Sequence, residues 1–560
     1  MRKQRLISII ILNHKVSLSC LKNLLRAISA VSALLAIVVF IPASTLAHLA
    51  QAPGPAPSGG CLGSCPSKAA NSTSRSQIAL SPPVFVRQPV SCYEASLSGA
   101  NSTKVEQRVQ RGGKDGGGNQ GGKSHPISPQ TDCLNVAAEN VVSVNLSAIT
   151  GQVVHGTEFG LAATMGTANH DYTPYGDPKF LNVANRYPVK LFRHNWELNT
   201  FMDIMFPSRT SVNSPNFAYL DNFLNNKAKF EHFFNNSTGI QVVTLGFPSW
   251  LNIGDAADQQ LYGQMVVAIA KHFSHRGMPV HWWDLVNEPD GHLDIAAVSN
   301  IFNVTDSALK RYDLANRLGG LALGWNQPDN FATFFQISGP HIGFISWHQY
   351  VTNGSDGKSN QQVVDDSMNN IFRDAQAIRS QARRAGIPDS VPLFMGEYNI
   401  DGAIYDDPRN GNIVGAVGAA AATYAMIASN TNCTMGALWT VANGSAYSVF
   451  GSQPKYAVDP IGVALSWLGE YMPGNLVQTV MPRNTPGLVG YATKTAKGFS
   501  LALINTNLSQ EYEVDISKNG FPPGVKVMEI SGANLQGSKR TISTPTNITV
   551  PAGSILIIAQ

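Results

Sequence analysis

Charge is what this 560-residue chain has least of. Asp, Glu, Lys and Arg make up 14% of it, against 43% apolar residues, and the formal net charge is +4. Arg2, Lys3, Arg5, Lys15, Lys22 and Arg26 crowd the first 26 positions, so the remainder is near neutral. That leaves no ground for nucleic acid as a partner, and a neutral, hydroxyl-rich substrate fits better. Cysteine is scarce too. Of Cys20, Cys61, Cys65, Cys92, Cys133 and Cys433 only the last lies beyond residue 133, and their pairing stays open. Cys61 and Cys65 lack a second pair of ligands downstream, which argues against zinc. No glycine-rich phosphate loop follows the first predicted strand, and Val153-Val-His-Gly-Thr-Glu lacks the His-x-His of a metal-dependent barrel hydrolase. No metal or organic cofactor is implied.

The amino terminus has the basic, apolar, small-residue order of a secretory signal. Ala27–Ile41 is 15 residues long and ends at Pro42, short of the roughly 20 needed to span a bilayer. Residues 1–50 are therefore expected to be a signal peptide, or a signal anchor if left uncleaved. Only in that second case is a membrane a partner. The chain is expected to be secreted or at the cell surface. Residues 51–139, rich in Pro, Gly and Ser, read as a linker.

From about residue 150 apolar runs alternate with helical periodicity. Strands are predicted at Val153–Phe159, Val189–Trp196, Ile240–Phe247, His281–Val286, Leu318–Gly324, Ile342–Tyr350, Pro392–Glu397 and Met435–Thr440. Helices are predicted at Tyr219–Phe234, Gln259–Phe273, Asp306–Arg317, Val363–Ala385 and Val414–Ala428. The expected fold class is α/β, a (β/α)8 TIM barrel over 140–464, with a doubly wound open sheet as the alternative. Short strands separated by turn signals then predict an all-β sandwich over 465–560, to which Val142–Leu146 could add a strand.

Two glutamates carry the chemistry. Glu288 closes the run His281-Trp-Trp-Asp-Leu-Val within Val-Asn-Glu-Pro-Asp, and Glu397 closes Val391-Pro-Leu-Phe-Met within Gly-Glu-Tyr-Asn. Counted as strands, they end the fourth and the seventh, at the carboxyl face where barrel enzymes keep their reacting groups. Two carboxylates so placed suit glycoside hydrolysis, one protonating the leaving oxygen and one attacking the anomeric carbon.

With Trp283-Asp-Leu-Val-Asn-Glu-Pro and Gly396-Glu-Tyr-Asn in these places, the barrel and sandwich resemble the glycoside hydrolases of clan A. They look most like family 39, with families 51, 30 and 79 as alternatives. The resemblance implies a retaining O-glycosyl hydrolase acting on an oligosaccharide or polysaccharide, with Glu288 as acid/base and Glu397 as nucleophile. It further implies that Asn287 holds the sugar 2-hydroxyl and that His348 and Tyr350 stand beside the nucleophile. Arg193 is a candidate stabiliser of the nucleophile's charge, and Trp250 and Trp439 are candidate sugar platforms. Asn195 and Trp196 read equally as site or packing residues, whereas His155 and Glu158 read as packing. A catalytically silent carbohydrate-binding protein on the same fold is the competing reading, and the presence of both glutamates weighs against it.

Overall fold

The computed structural model describes residues 140–560 apart from 165–176, 188, 196–198, 228–238, 279, 315–316, 353–356, 402–406, 443–447 and 452–455. The expected signal and linker, and Trp196, lie outside the described residues.

The chain enters through a long strand, β1 (Ser143–Val154). Eight parallel strands then close on themselves: β2 (Gly160–Thr164), β3 (Leu191–Asn195), β4 (Ile240–Thr244), β5 (Trp282–Asp284), β6 (Arg317–Leu323), β7 (Ile345–Tyr350), β8 (Leu393–Asn399) and β9 (Cys433–Trp439). β9 pairs back onto β2 through Gly160, Leu161 and Ala162. The helices between them are α1 (Pro178–Ala184), α2 (Asn199–Met205), α3 (Ala218–Lys227), α4 (Ala256–His275), α5 (Ile295–Arg311), α6 (Pro328–Ser338), α7 (Asn360–Arg384) and α8 (Ile413–Ala428). Their starts are chemically marked. Asp255 and Asp294 cap α4 and α5, and Ser359 with Gln362 forms a capping box on α7, satisfying amide groups that have no partner within the helix. α9 (Pro460–Tyr471) completes the barrel layer.

The second layer system is built from β10 (Gly474–Val480), β11 (Leu488–Thr495), β12 (Gly498–Asn505), β13 (Tyr512–Asp515), β14 (Val525–Ser531), β15 (Asn534–Ile542), β16 (Asn547–Val550) and β17 (Ser554–Ala559). Seven strands form one sheet in the order β1-β10-β11-β12-β17-β14-β15, while β13 and β16 pair separately. Successive side chains of a strand point to opposite faces, and β17 shows what that means here. Leu556 and Ile558 join the core shared with Tyr512, Val514, Ile548 and Val550 of the small sheet. Ile555, Ile557 and Ala559 join the large core that continues into the barrel. Both faces are buried, so the strand is apolar throughout, and each such side chain contributes roughly 1.5–3 kcal/mol. The barrel meets this sheet through α8 and α9. All but the two end residues of α8 are buried, which explains a helix that is apolar on every side.

Several expectations shift. The first barrel strand is β2, not Val153–Phe159. That segment belongs to the end of β1 and a short 3-10 turn, because the chain breaks direction at Gly156, whose φ is +79°. Strand β1 spans Ser143–Val154 and pairs antiparallel with β10, so the sheet takes strands from both ends of the barrel. Position 464/465 falls inside α9, which packs against both α8 and the sheet. Helix α5 starts at Ile295, well before Asp306, and Arg317 already belongs to β6. Strands β15 and β16 had no apolar run to announce them.

Candidate active site

One apolar cluster collects residues from or just before every barrel strand except β6: Ala162, Leu191, Val242, Trp282, Phe344, Phe394, Met435, Ala437 and Trp439. It fills the barrel's interior. Side-chain alternation then fixes what stands above it. Arg193 and Asn195 follow Leu191 by two and four, Asp284 follows Trp282 by two, and His348 and Tyr350 follow Phe344 by four and six. These polar groups therefore gather at the carboxyl end of the barrel.

Glu397 breaks the rule, since it follows Phe394 by three. The register of β8 against β7 slips by one residue there: Met395 pairs with Trp347, and Glu397 with His348. Gly396 is the extra residue, and the slip turns Glu397 inward, the re-aiming that a bulge performs. A larger residue at that point would be crowded. A Cβ on Gly396 would lie 3.2 Å from His348 Nε2 and 3.3 Å from Arg193 Nε.

Glu397 is then held by three donors. Arg193 Nη1 donates to Oε1 at 2.7 Å, Asn195 Nδ2 to the same oxygen at 3.1 Å, and Tyr350 Oη to Oε2 at 2.7 Å. Arg193 is fully buried and also reaches Asn287 Oδ1 at 2.8 Å and Asp284 Oδ2 at 3.5 Å. Asp284 in turn accepts from Ser346 Oγ at 2.8 Å. Burial raises the Asp284 carboxyl above its ordinary value, against the pull of Arg193 and Ser346. Burial, then the charge and hydrogen bond of Glu397, push the Tyr350 phenol well above its own, so it remains a donor.

Glu288 is the more open of the pair, its side chain 43% exposed against 7% for Glu397. Its backbone takes a left-handed φ of +46°, a conformation that costs a non-glycine residue about 1–3 kcal/mol. A hydrogen bond from its amide to Ala322 O at 3.0 Å pins it there. His348, fully buried, stands between the two carboxylates, Nδ1 at 2.7 Å from Glu288 Oε1 and 3.6 Å from Glu397 Oε2. Burial pushes the Glu288 carboxyl up, but the hydrogen bond and charge of His348, with the charges of Arg193 and His292, outweigh it. The carboxyl lies below its ordinary value in the open site.

One ligand-type atom each from Glu288, His348 and Glu397 lie within 4.8 Å of one another. That spacing could hold a cation. However, both oxygens of Glu397 already accept strong hydrogen bonds, and a guanidinium sits against one of them, so the donor set suits an organic substrate better. An oxygen of Glu288 and an oxygen of Glu397 lie within 4.8 Å of each other, which brings the two carboxylates to one point of the barrel mouth.

The remaining candidates separate. Tyr350 packs against the interior cluster that contains Trp439, which is 9% exposed. Trp439 also gives its carbonyl oxygen to Asn399 Nδ2 at 2.6 Å. Trp250 is pinned by its Nε1 to Phe206 O at 2.6 Å and packs against the large core. Glu158 and His155 lie before β2, at the opposite end of the barrel. Asp284 and Ser346 were missed as site residues. Their signal was a polar group two residues after an inward aromatic, Trp282 for Asp284 and Phe344 for Ser346.

No protein-family model and no curated protein sequence matches the chain. Solved structures do. A family 51 α-L-arabinofuranosidase from Thermotoga petrophila is 13% identical, with a TM-score of 0.55 over 75% of this chain and 99% of that one. A family 30 endoxylanase from Clostridium papyrosolvens is 15% identical, with a TM-score of 0.52 over 75% and 99%. A monomeric β-xylosidase from Caulobacter crescentus is 14% identical, with a TM-score of 0.52 over the same shares. At such identities the likeness is one of fold, and by fold this chain is a (β/α)8 barrel with a β-sandwich of the kind built by the clan A glycoside hydrolases.

Proposed function

We propose that the protein is a retaining glycoside hydrolase, with Glu397 as nucleophile and Glu288 as acid/base. The observation that carries this reading is the carboxylate pair itself, at the carboxyl ends of two barrel strands with oxygens within 4.8 Å. The donors around Glu397 favour its negative charge. An Oε of Glu397 attacks the anomeric carbon as the bond to the leaving oxygen breaks, and Glu288 gives that oxygen a proton. A glycosyl ester on Glu397 results, and its formation removes one of two neighbouring negative charges. Glu288, now more acidic, takes a proton from a water that attacks the anomeric carbon and releases Glu397. A sugar filling the mouth excludes water and strengthens the burial that already pushes Glu288 toward its protonated form. Asn287 has its oxygen engaged by Arg193, so its amide NH2 is the end offered to the 2-hydroxyl.

Neutral composition supports an uncharged oligosaccharide or polysaccharide as substrate. The basic-apolar-small order of the first 50 residues supports action outside the cell.

The test is turnover of aryl glycosides and plant, algal and fungal polysaccharides, with the first-formed anomer read by proton NMR. Retention is expected, and Glu397→Gln is expected to lower kcat by about 10⁴-fold or more. An inverted first product would overturn the double displacement. A folded protein that cleaves nothing would favour the silent carbohydrate-binding barrel.

A further inference from the structure

The geometry points to Trp325 as the platform for the leaving-group sugar, a specificity-determining residue on the acid side of the proposed site. This inference rests on the glycosidase reading and extends it to a second sugar. Among the described residues, Trp325 is the most exposed large apolar side chain, at 59%. It stands at the carboxyl end of β6, immediately after Gly324. A Cβ on Gly324 would lie 3.3 Å from Asp290 Oδ2 and 3.5 Å from both Cδ and Oε1 of Glu288. Trp325 is thus one residue removed from the carboxyl that must touch the leaving oxygen, and neighbouring Cα atoms are about 3.8 Å apart.

The residues on either side of Trp325 are fastened, Gly324 through its backbone and Asn326 and Gln327 through their side chains. Gly324 N donates to Asp290 Oδ1 at 2.9 Å, Asn326 Nδ2 to Asp374 Oδ1 at 3.2 Å, and Gln327 Nε2 to Asp290 Oδ2. Such anchoring cannot serve to bury the ring, because the ring remains in water. An indole held exposed on a rigid turn, beside a hydrogen-bonding rim, offers an apolar face to the C–H face of a pyranose or furanose. Glu288 protonates the oxygen between the two sugars, so a sugar next to Glu288 on the Trp325 side is the departing one.

The test compares substrates that differ only in what leaves. β-D-xylosyl fluoride and xylobiose form one pair, with the α-L-arabinofuranosyl fluoride/arabinobiose and β-D-glucosyl fluoride/cellobiose pairs run in parallel. Fluoride needs no platform. Trp325→Ala is expected to lower kcat/KM for the cleaved disaccharide by about tenfold, the scale of one stacked ring. The matching fluoride should stay within about twofold, and Trp325→Tyr should recover part of the loss. Equal loss on both members of a pair, or no loss on either, would overturn the platform while leaving the glycosidase intact. Wild-type protein inert on all six and on the aryl glycosides and polysaccharides above would overturn the glycosidase reading, and the platform with it.

Discussion

The two ends of the barrel treat a glutamate in opposite ways. At the carboxyl end Arg193, Asn195 and Tyr350 donate to buried Glu397, His348 stands between it and the half-exposed Glu288, and Glu288 is drawn below its ordinary value. At the amino end Glu158 is fully buried just before β2, and no ion pair reaches it among the described residues. Burial lifts it to about 8, with backbone amides at 158, 155 and 156 opposing by less. Its charge is felt by Cys433 on β9 and Tyr491 on β11, where the sheet docks on the barrel. Depth alone therefore does not make a catalytic carboxylate. Partners do, and the mouth supplies cation and donors that the floor withholds.

Removing the mouth's cation should break the contrast most severely. Arg193→Met leaves Glu397 and Asp284 buried without their guanidinium, and losing one partner of a buried pair costs about 3–5 kcal/mol. Urea unfolding should show that loss, along with collapse of any glycosidase activity. An unchanged urea midpoint would mean that the buried charges are satisfied some other way.

Glu158→Gln should sharpen the contrast from the other side. In the folded protein this carboxyl keeps a proton that the unfolded chain gives up, so wild-type stability falls as pH rises between about 4.5 and 8. The variant has nothing to release there. It should match wild type at pH 4.5 and exceed it by a few kcal/mol at pH 8. Parallel stability curves for the two proteins across that window would show that Glu158 does not titrate as its surroundings dictate.

The smallest effect is expected at His348. His348→Gln removes the first group that lowers Glu288 and leaves burial in place, so the alkaline limb of kcat/KM should move to higher pH. A limb that stays put, or moves down, would remove His348 from the control of Glu288.

Much of this was legible because barrel strands buried on both faces are apolar runs, and helices between them repeat at three and four. Glu288 and Glu397 stood out as carboxylates at the ends of such runs. What stayed hidden depends on geometry that spacing does not carry. Strand β15 reads Asn-Leu-Gln-Gly-Ser-Lys-Arg-Thr-Ile, a polar edge with no apolar period. The first barrel strand was misplaced because the turn at Gly156 divides one continuous extended-looking stretch. Trp325, the most exposed large apolar side chain among the described residues, was not singled out. That Gly324, just before it, lies beside Glu288 depends on the pairing of β5 with β6, which no local pattern encodes.

The slip at Gly396 makes this site depend on strand register as much as on residue identity. Pairing β8 regularly through Gly396 would keep both carboxylates in the chain, yet unbroken alternation would turn Glu397 outward from the barrel. The aim of Glu397 is thus stored in how two strands are counted against each other, and not in any one side chain.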